Sequence, residues 1–302
     1  DTIGRVFSKL DTVEFYAALQ SWANDISSSL EGETVAIDGK TLRGSHDRAK
    51  GKSALHSISA WVCGLRMCIG LQSVEDKSNE IPAVQELIDM LDLKGAVVTA
   101  DAMHCQVATA QAIIDKEADY ILMVKGNQPS LQEALHDAII EELESEDSNV
   151  KRHRTNEKNR GREEFREVVV MPVPDSDIFS RWAGIESIGM IFRSREVNGK
   201  YEENITTFIS SRPAKVRDLA KRVREHWGIE NSQHHTLDVT FTEDASRIRN
   251  GNGPEISSVF RRLALNILQQ DTTIKDSIRG KRKRCAWDNT AIEAIIANYS
   301  SN

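Results

Sequence analysis

Cysteine is scarce in this chain: Cys63, Cys68, Cys105 and Cys285 are the whole complement of 302 residues, and none is paired at CxxC spacing. That excludes a disulfide scaffold and reads as reduced thiols in a cytoplasmic protein. Long apolar runs are absent too. No stretch approaches the roughly 18 uncharged apolar residues that a bilayer crossing needs, and no basic-then-apolar leader opens the sequence, so neither a membrane span nor secretion is expected. Internal repeats and low-complexity tracts are missing. An apolar fraction of 39% with 28% charged residues argues against wholesale disorder. The length corresponds to about two domains, or to one domain with a large insertion.

An excess of positive charge is also lacking, since the net charge is -7. The mean conceals the distribution, and electrostatic fields are local, decaying within about 8 Å at physiological salt. Acid concentrates at 141–147 (EELESED), whereas 151–166 (KRHRTNEKNRGREEFR), 215–227 (KVRDLAKRVREHW) and 279–285 (RGKRKRC) are basic. Each basic run on its own reads as a solvated face; three in one acidic chain raise the prospect of an anionic partner.

Periodicity outlines the elements. DTVEFYAALQSWANDI is amphipathic and helical, and because it begins so close to Asp1 an upstream segment is expected. TVAIDGK (34–40) reads as a strand closing in a turn-forming Asp-Gly, followed by strands at 54–62 and 67–75 in an antiparallel meander. Helix (81–93), strand (95–101), helix (106–116), strand (119–125) and helix (130–143) then alternate, the pattern of a mixed sheet with parallel strands and helices on both faces. Residues 164–210 look β-rich, and helical spacing returns at 215–231, 254–270 and 289–299.

Three acids occupy distinctive places: Asp38 at the end of the first strand, Asp101 at the end of the fourth, and Glu230 on a late helix within HWGIEN. Side chains at strand ends of such sheets converge where sites form. Three carboxylates there make an all-oxygen pocket suited to Mg²⁺ or Mn²⁺, and two such ions can drive phosphodiester chemistry. Each acid has a plainer reading. Asp38 can be a hairpin-turn aspartate, Asp101 a helix cap, and Glu230 a surface charge. His226, His234, His235 and Asp238 lack a cysteine partner and read as hydrated surface histidines rather than a zinc site. Trp61, Trp182 and Trp227 read as core.

The segments AIDGKTLRGS, TADAMHCQ, DYILMVKGNQ and HWGIENSQHHTLDVTFTEDASR resemble, in order and from about residue 1 to 298, the DDE transposases of the ISAs-type insertion sequences. The likeness is strongest to the H-repeat-associated proteins found beside Rhs elements. It implies an α/β, ribonuclease-H-like mixed sheet flanked by helices, with a β-rich insertion before the final catalytic helix. On that pattern residues 1–30 are the tail of an N-terminal associated segment, 31–150 the first part of the core, 151–212 the insertion, and 213–302 the helical part bearing the last acid. By motif, Asp38, Asp101 and Glu230 become the catalytic, metal-holding triad with two Mg²⁺ or Mn²⁺ ions. The partner implied is DNA, both element ends and target, with a homodimer in the synaptic complex. The protein is expected in a bacterial cytoplasm, nucleoid-associated when bound to DNA. The alternative is a relic that only binds DNA or another partner.

The chain departs from relatives at His234-His235, where His-Trp is usual, and at Arg160-Gly161-Arg162, where His-Gly-Arg is common. A wider group of insertion-sequence transposases sets tyrosine, arginine and lysine around the glutamate; the matching positions here are Val223, His226 and Leu237. Candidate DNA contacts are Lys40, Arg43, Lys125, Asn127, Arg162, Arg222 and His226. Helical spacing puts Arg222, His226 and Glu230 on one face at i, i+4 and i+8, while Lys125-Gly126-Asn127 also reads as a plain turn.

Overall fold

The computed structural model describes residues 2–26, 30–47, 51–74, 80–159, 162–197 and 199–300; Arg160 and Gly161 lie outside them. The chain divides into two compact units, residues 1–92 with 227–302, and residues 93–226. The first begins with helices α1 (Thr2–Phe7) and α2 (Thr12–Ile26), strands β1 (Thr34–Thr41), β2 (His56–Val62) and β3 (Met67–Val74), and helix α3 (Glu80–Met90). The second holds β4 (Val97–Ala100), α4 (Val107–Asp115), β5 (Asp119–Val124), α5 (Pro129–Glu144), β6 (Lys151–Asn159), β7 (Arg162–Pro172), α6 (Asp177–Ser180), β8 (Ser187–Val197), β9 (Lys200–Ser210) and α7 (Val216–His226). The chain then re-enters the first unit through a π-helical turn, Ile229–His234. It ends in α8 (His235–Val239), α9 (Gly253–Gln270), α10 (Ile278–Trp287) and α11 (Asn289–Ser300).

In the first unit β1, β2 and β3 form the expected antiparallel meander, with Asp38 opposite Ser59 and Ile58 opposite Gln72. Strand β2 is buried along its whole length, which is why its apolar and small polar residues follow one another without alternation. Ala83, Val84, Leu87 and Ile88 form the buried stripe of α3. Gly70 admits that helix, because a Cβ there would stand 2.8 Å from Leu87 Cδ1. A core of Ala36, Trp61, Cys68, Ile229, Leu237 and Leu265 ties the meander to the later helices. Each large side chain in it contributes about 1.5–3 kcal/mol over exposure.

In the second unit β4 and β5 run parallel, with Val97 opposite Asp119, and α4 makes the crossover that parallel strands require. Pro129 sits in the first turn of α5, where its missing N–H costs nothing, and Leu131, Leu135 and Ile139 form the buried stripe. The sheet continues antiparallel through β9, β8, β7 and β6. It is therefore mixed, as expected: meander, alternating helix and strand, and a β-rich insertion before α7, the ribonuclease-H-like order of elements. Val168, Val170, Ile191 and Phe208 extend the core of this unit along β7 to β9.

One local expectation needs correction, and two basic runs take on a definite structure. Strand β1 does not close at Asp38-Gly39 but runs on through Thr41, so no hairpin turn forms there. The basic run at 151–159, within the expected β-rich insertion, is strand β6; largely exposed, with His153 and Thr155 half-buried, it carries no apolar alternation to betray it. The basic run at 279–285 is helix α10, whose low apolar content hid its period.

Candidate active site

Asp38 projects from the interior of β1, and its side chain is 18% exposed. Its Oδ1 accepts the Gly39 N–H at 2.8 Å, and its Oδ2 lies 3.5 Å from His234 Nδ1. Burial, reinforced by the positive charges of Arg262 and Lys40, pushes His234 down to about 3. The imidazole is thus neutral at ordinary pH, and its approach to Asp38 is not an ion pair. Alternation along the strand puts Lys40 on the face of Asp38 and Gly39 on the other. Against Gly39 sits a buried His56–Glu80 pair at 2.8 Å. The other ring nitrogen of His56 lies 2.8 Å from Thr41 Oγ1. A Cβ at position 39 would come within 2.7 Å of His56 Nε2, so close packing, not a turn, explains the glycine.

Lys40 is buried. Its Nζ donates to Asp238 Oδ2 at 2.8 Å and reaches Asp244 Oδ1 at 3.4 Å. The cation expected to meet phosphate is spent inside the protein, joining β1 to the segment that follows the π-helical turn. Beneath that segment Arg262 and Glu243, both fully buried, pair at 3.0 Å, and Arg262 also donates to the Ser258 carbonyl at 3.3 Å. Sequence reasoning missed Glu243, Asp244 and Arg262, and weighed Asp238 only as a zinc ligand. The acid spacing in TLDVTFTED was the available signal.

In the second unit Asp101 is at the cap position of a short 3₁₀ turn, Ala102–His104, yet its side chain makes no capping hydrogen bond. Its carboxylate turns to His226 instead, with Oδ1 3.4 Å from Nε2. Nδ1 of the same ring lies 3.0 Å from Thr99 Oγ1. Hydrogen bonding from His226 outweighs burial and holds Asp101 below the usual carboxylate range, with the charges of His226, Lys125 and His104 adding to it. The following loop is stitched down: Asn127 donates to the Ala102 carbonyl at 2.6 Å, and Gln128 to that of Cys105 at 3.0 Å. Lys125 is exposed on the same turn.

Glu230 is exposed on the π-helical turn. Regular α-helix ends at His226, so the i, i+4, i+8 spacing is not carried through to Glu230. Arg222 is buried and bonded to Asp218 at 2.9 Å. Arg43 is 84% exposed and reaches Asp244 at 3.5 Å. Arg162 opens β7; its side chain lies outside the described residues. Buried His226 and largely buried His234 correct the surface reading of those two histidines, whereas His235 is exposed as read. Trp61 and Trp182 are core, whereas Trp227 is 40% exposed.

By donor chemistry the three acids suit a hard divalent cation: all offer carboxylate oxygens, and Asp101 is held ionised. Asp38 and Glu230 belong to the first unit and Asp101 to the second. Among the described residues no three His, Cys, Asp or Glu side chains cluster to hold a metal ion. Nor is any described helix long and apolar enough to cross a membrane.

Residues 29–267 match the family model described as a transposase DDE domain. The chain belongs to this transposase family. Among its relatives, the H repeat-associated protein YhhI of Escherichia coli (strain K12) is 37% identical over 98% of this chain and 80% of its own length. YncI of Escherichia coli O157:H7 is 39% identical over 99% of this chain and 78% of its own. The resemblance carried by the four motifs is thereby met: this is a DDE transposase close to the H-repeat-associated proteins. Of solved structures, a piggyBac transposase in a synaptic complex with hairpin DNA aligns with a TM-score of 0.40 at 11% identity, over 89% of this chain and 57% of that one.

Proposed function

We propose that this DDE transposase cuts and joins DNA, with Asp38, Asp101 and Glu230 as its catalytic carboxylates. Water attacks a phosphodiester at the element end, breaking the P–O3′ bond, and the freed 3′-hydroxyl then attacks a phosphodiester of the target strand, breaking its P–O3′ bond and releasing the target 3′-oxygen as a hydroxyl. The observation that carries the reading is Asp101: at a position where an aspartate ordinarily caps the next turn, it forgoes the cap and is held ionised beside His226. Divalent Mg²⁺ or Mn²⁺ ions, two by family pattern, would be held by the three acids and would supply charge neutralisation of the in-line transition state. The chain's own part is positioning. His226, steadied by Thr99, orients Asp101; Gly39 N–H orients Asp38; Lys125 and Arg43, both exposed, are the cations offered to the DNA backbone, with Asn127 and Arg162 beside them in the expected contact set.

The test is Asp101→Asn, which abolishes Mg²⁺-dependent nicking of element-end DNA while sparing binding. Nicking by the variant at the wild-type rate overturns the assignment. A second reading, a relic that binds DNA without cutting it, is favoured by Val223, His226 and Leu237, which stand around Glu230 where a wider group of insertion-sequence transposases sets tyrosine, arginine and lysine. The wild-type protein separates the two readings: binding without metal-dependent nicking establishes the relic, and cutting without end preference would mark a general nuclease.

A further inference from the structure

Of the three basic runs, two are largely paired within the protein, with Lys151, Lys215 and Arg217 the cations left without an ion pair among their described side chains. In the insertion Arg154 pairs with Glu167 at 2.9 Å, Lys158 with Glu163, Arg166 with Glu164 at 2.5 Å, and Arg195 with Glu202 at 2.7 Å. On α7 Arg222 pairs with Asp218 at 2.9 Å, Lys221 with Glu225 at 3.5 Å, and Arg224 with Glu157 at 2.7 Å. Cross-strand and i, i+4 partners cancel most of that charge within a few ångströms, well inside a Debye length.

Helix α10 differs. One side anchors it: buried Lys281 reaches Asp271 Oδ2 at 3.0 Å and the Leu268 carbonyl at 3.1 Å, and the Arg282 guanidinium lies 5.5 Å over the Phe241 ring. The other side exposes Arg279, Lys283, Arg284 and Trp287, the last at 73%. Arg279 and Lys283 have no ion pair or hydrogen bond among the described residues. The flanking acids are engaged at the two ends of the helix: Asp276, packed beside Gly280, accepts from the Ser277 N–H at 2.7 Å, and Asp288, near Arg284, from the Thr290 N–H at 2.9 Å. Arg279, Lys283 and Trp287 fall at i, i+4 and i+8, on one stripe of a helix.

We infer that this outer stripe of α10 docks on the sugar-phosphate backbone of duplex DNA, with Arg279 and Lys283 on phosphates and Trp287 against the sugars. Charge complementarity selects the occupant. At a helical rise of 1.5 Å, four residues advance the second cation by about 6 Å, close to two backbone steps of about 3.4 Å. A membrane surface would require a continuous apolar face, and here Trp287 is the sole large apolar side chain outward on the stripe. The inference rests on the DNA-acting reading and adds to it a surface outside the carboxylates.

The test is the full chain with Arg279→Gln/Lys283→Gln, titrated by anisotropy against a labelled 30-base-pair duplex across a KCl series. Losing two phosphate contacts lowers the slope of log K against log salt by about 1.8, at about 0.9 per contact. Taking each contact as neutral at 1 M salt, that is about 30-fold weaker binding at 0.15 M. A control with equal loss of charge, Lys200→Gln/Lys215→Gln, keeps the wild-type slope, and Trp287→Ala weakens binding several-fold with the slope unchanged. An unchanged slope in the α10 variant overturns the inference, as does an equal loss in the control, or unaltered affinity in Trp287→Ala. If the α10 variant loses binding to anionic phosphatidylserine vesicles and keeps duplex binding, the face is a membrane surface and the inference fails. These failures leave the catalytic reading standing whenever the wild type nicks DNA and Asp101→Asn does not; a wild type that neither binds nor nicks duplex fails both.

Discussion

Lys40 decides between two roles that one measurement series can separate. The sequence puts a lysine two residues past a motif aspartate, where it looks free to meet phosphate. The structure buries its side chain to 8% exposure between Asp238 and Asp244. Consider Lys40→Met, which keeps the stem and removes the ammonium. Removing one partner of a fully buried ion pair costs about 3–5 kcal/mol, and of a surface pair about 0–1. The carboxylates retain 34% and 29% exposure, so water recovers part of the loss and the expected cost is about 2 kcal/mol. At about 2–4 °C per kcal/mol for a domain of comparable size, Tm falls by about 4–8 °C. Duplex affinity and its salt dependence stay as in the wild type, while nicking at saturating DNA slows, because the contact joins β1, bearing Asp38, to the segment just beyond Glu230. Thermal unfolding and anisotropy against KCl are the assays. An unchanged Tm with a salt slope smaller by about 0.9 refutes the reasoning and returns Lys40 to the DNA.

Three further perturbations follow from packing and charge. Arg262→Met strands Glu243 in the interior and costs about 3–5 kcal/mol by urea unfolding, and Arg262→Met/Glu243→Met recovers much of it; equal costs for the single and double variants contradict the pairing. Gly39→Ala drives a Cβ to 2.7 Å from the ring nitrogen of a His56 held at both ends, lowering stability by about 1–3 kcal/mol, and a urea midpoint like that of wild type would show that His56 yields freely. Burial acts against it, but the charges and hydrogen bonds of Arg212 and Arg222 hold Asp218 below its ordinary 3.8. A depressed carboxylate stabilises the fold above its unfolded value and loses that contribution as pH falls through the folded one. The gap in urea midpoint between wild type and Asp218→Asn is therefore full well above 3.8 and closes as pH falls below it; a gap that does not shrink on acidification argues against it.

Elements with apolar periodicity were legible from sequence because burial wrote them there. Strand β2, the α3 stripe and the β4–α4–β5 crossover all fall close to their expected places. Strand β6 and α10 were not, for one physical reason: both are held by charges and by their neighbours, and a charged strand or helix shows little apolar period. The motif acids could be named without coordinates, but their neighbours could not. Lys40, Asp238 and Asp244 lie some 200 positions apart along the chain, and no local pattern reports such a contact. The same holds for Arg262, which sequence reads as one more cation of an amphipathic helix and which is fully buried.

The stretch HWGIENSQHH shows why composition alone misled about its histidines. His226 and His234 flank Glu230 at four residues on either side, and each turns to a different motif aspartate within its own unit, His226 to Asp101 and His234 to Asp38. Their effects differ. His226 hydrogen-bonds Asp101 and favours its ionised form. His234 is kept neutral by burial and by the cations Arg262 and Lys40, so it lies beside Asp38 without cancelling its charge. Lys40 in turn is balanced by Asp238 and Asp244, so its charge is already spent on other acids. A carboxylate left free to attract a divalent cation needs neighbours that are polar without already cancelling its charge. A neutral imidazole and a lysine already balanced by two other acids meet that need, and a cluster of free surface histidines and lysines would not.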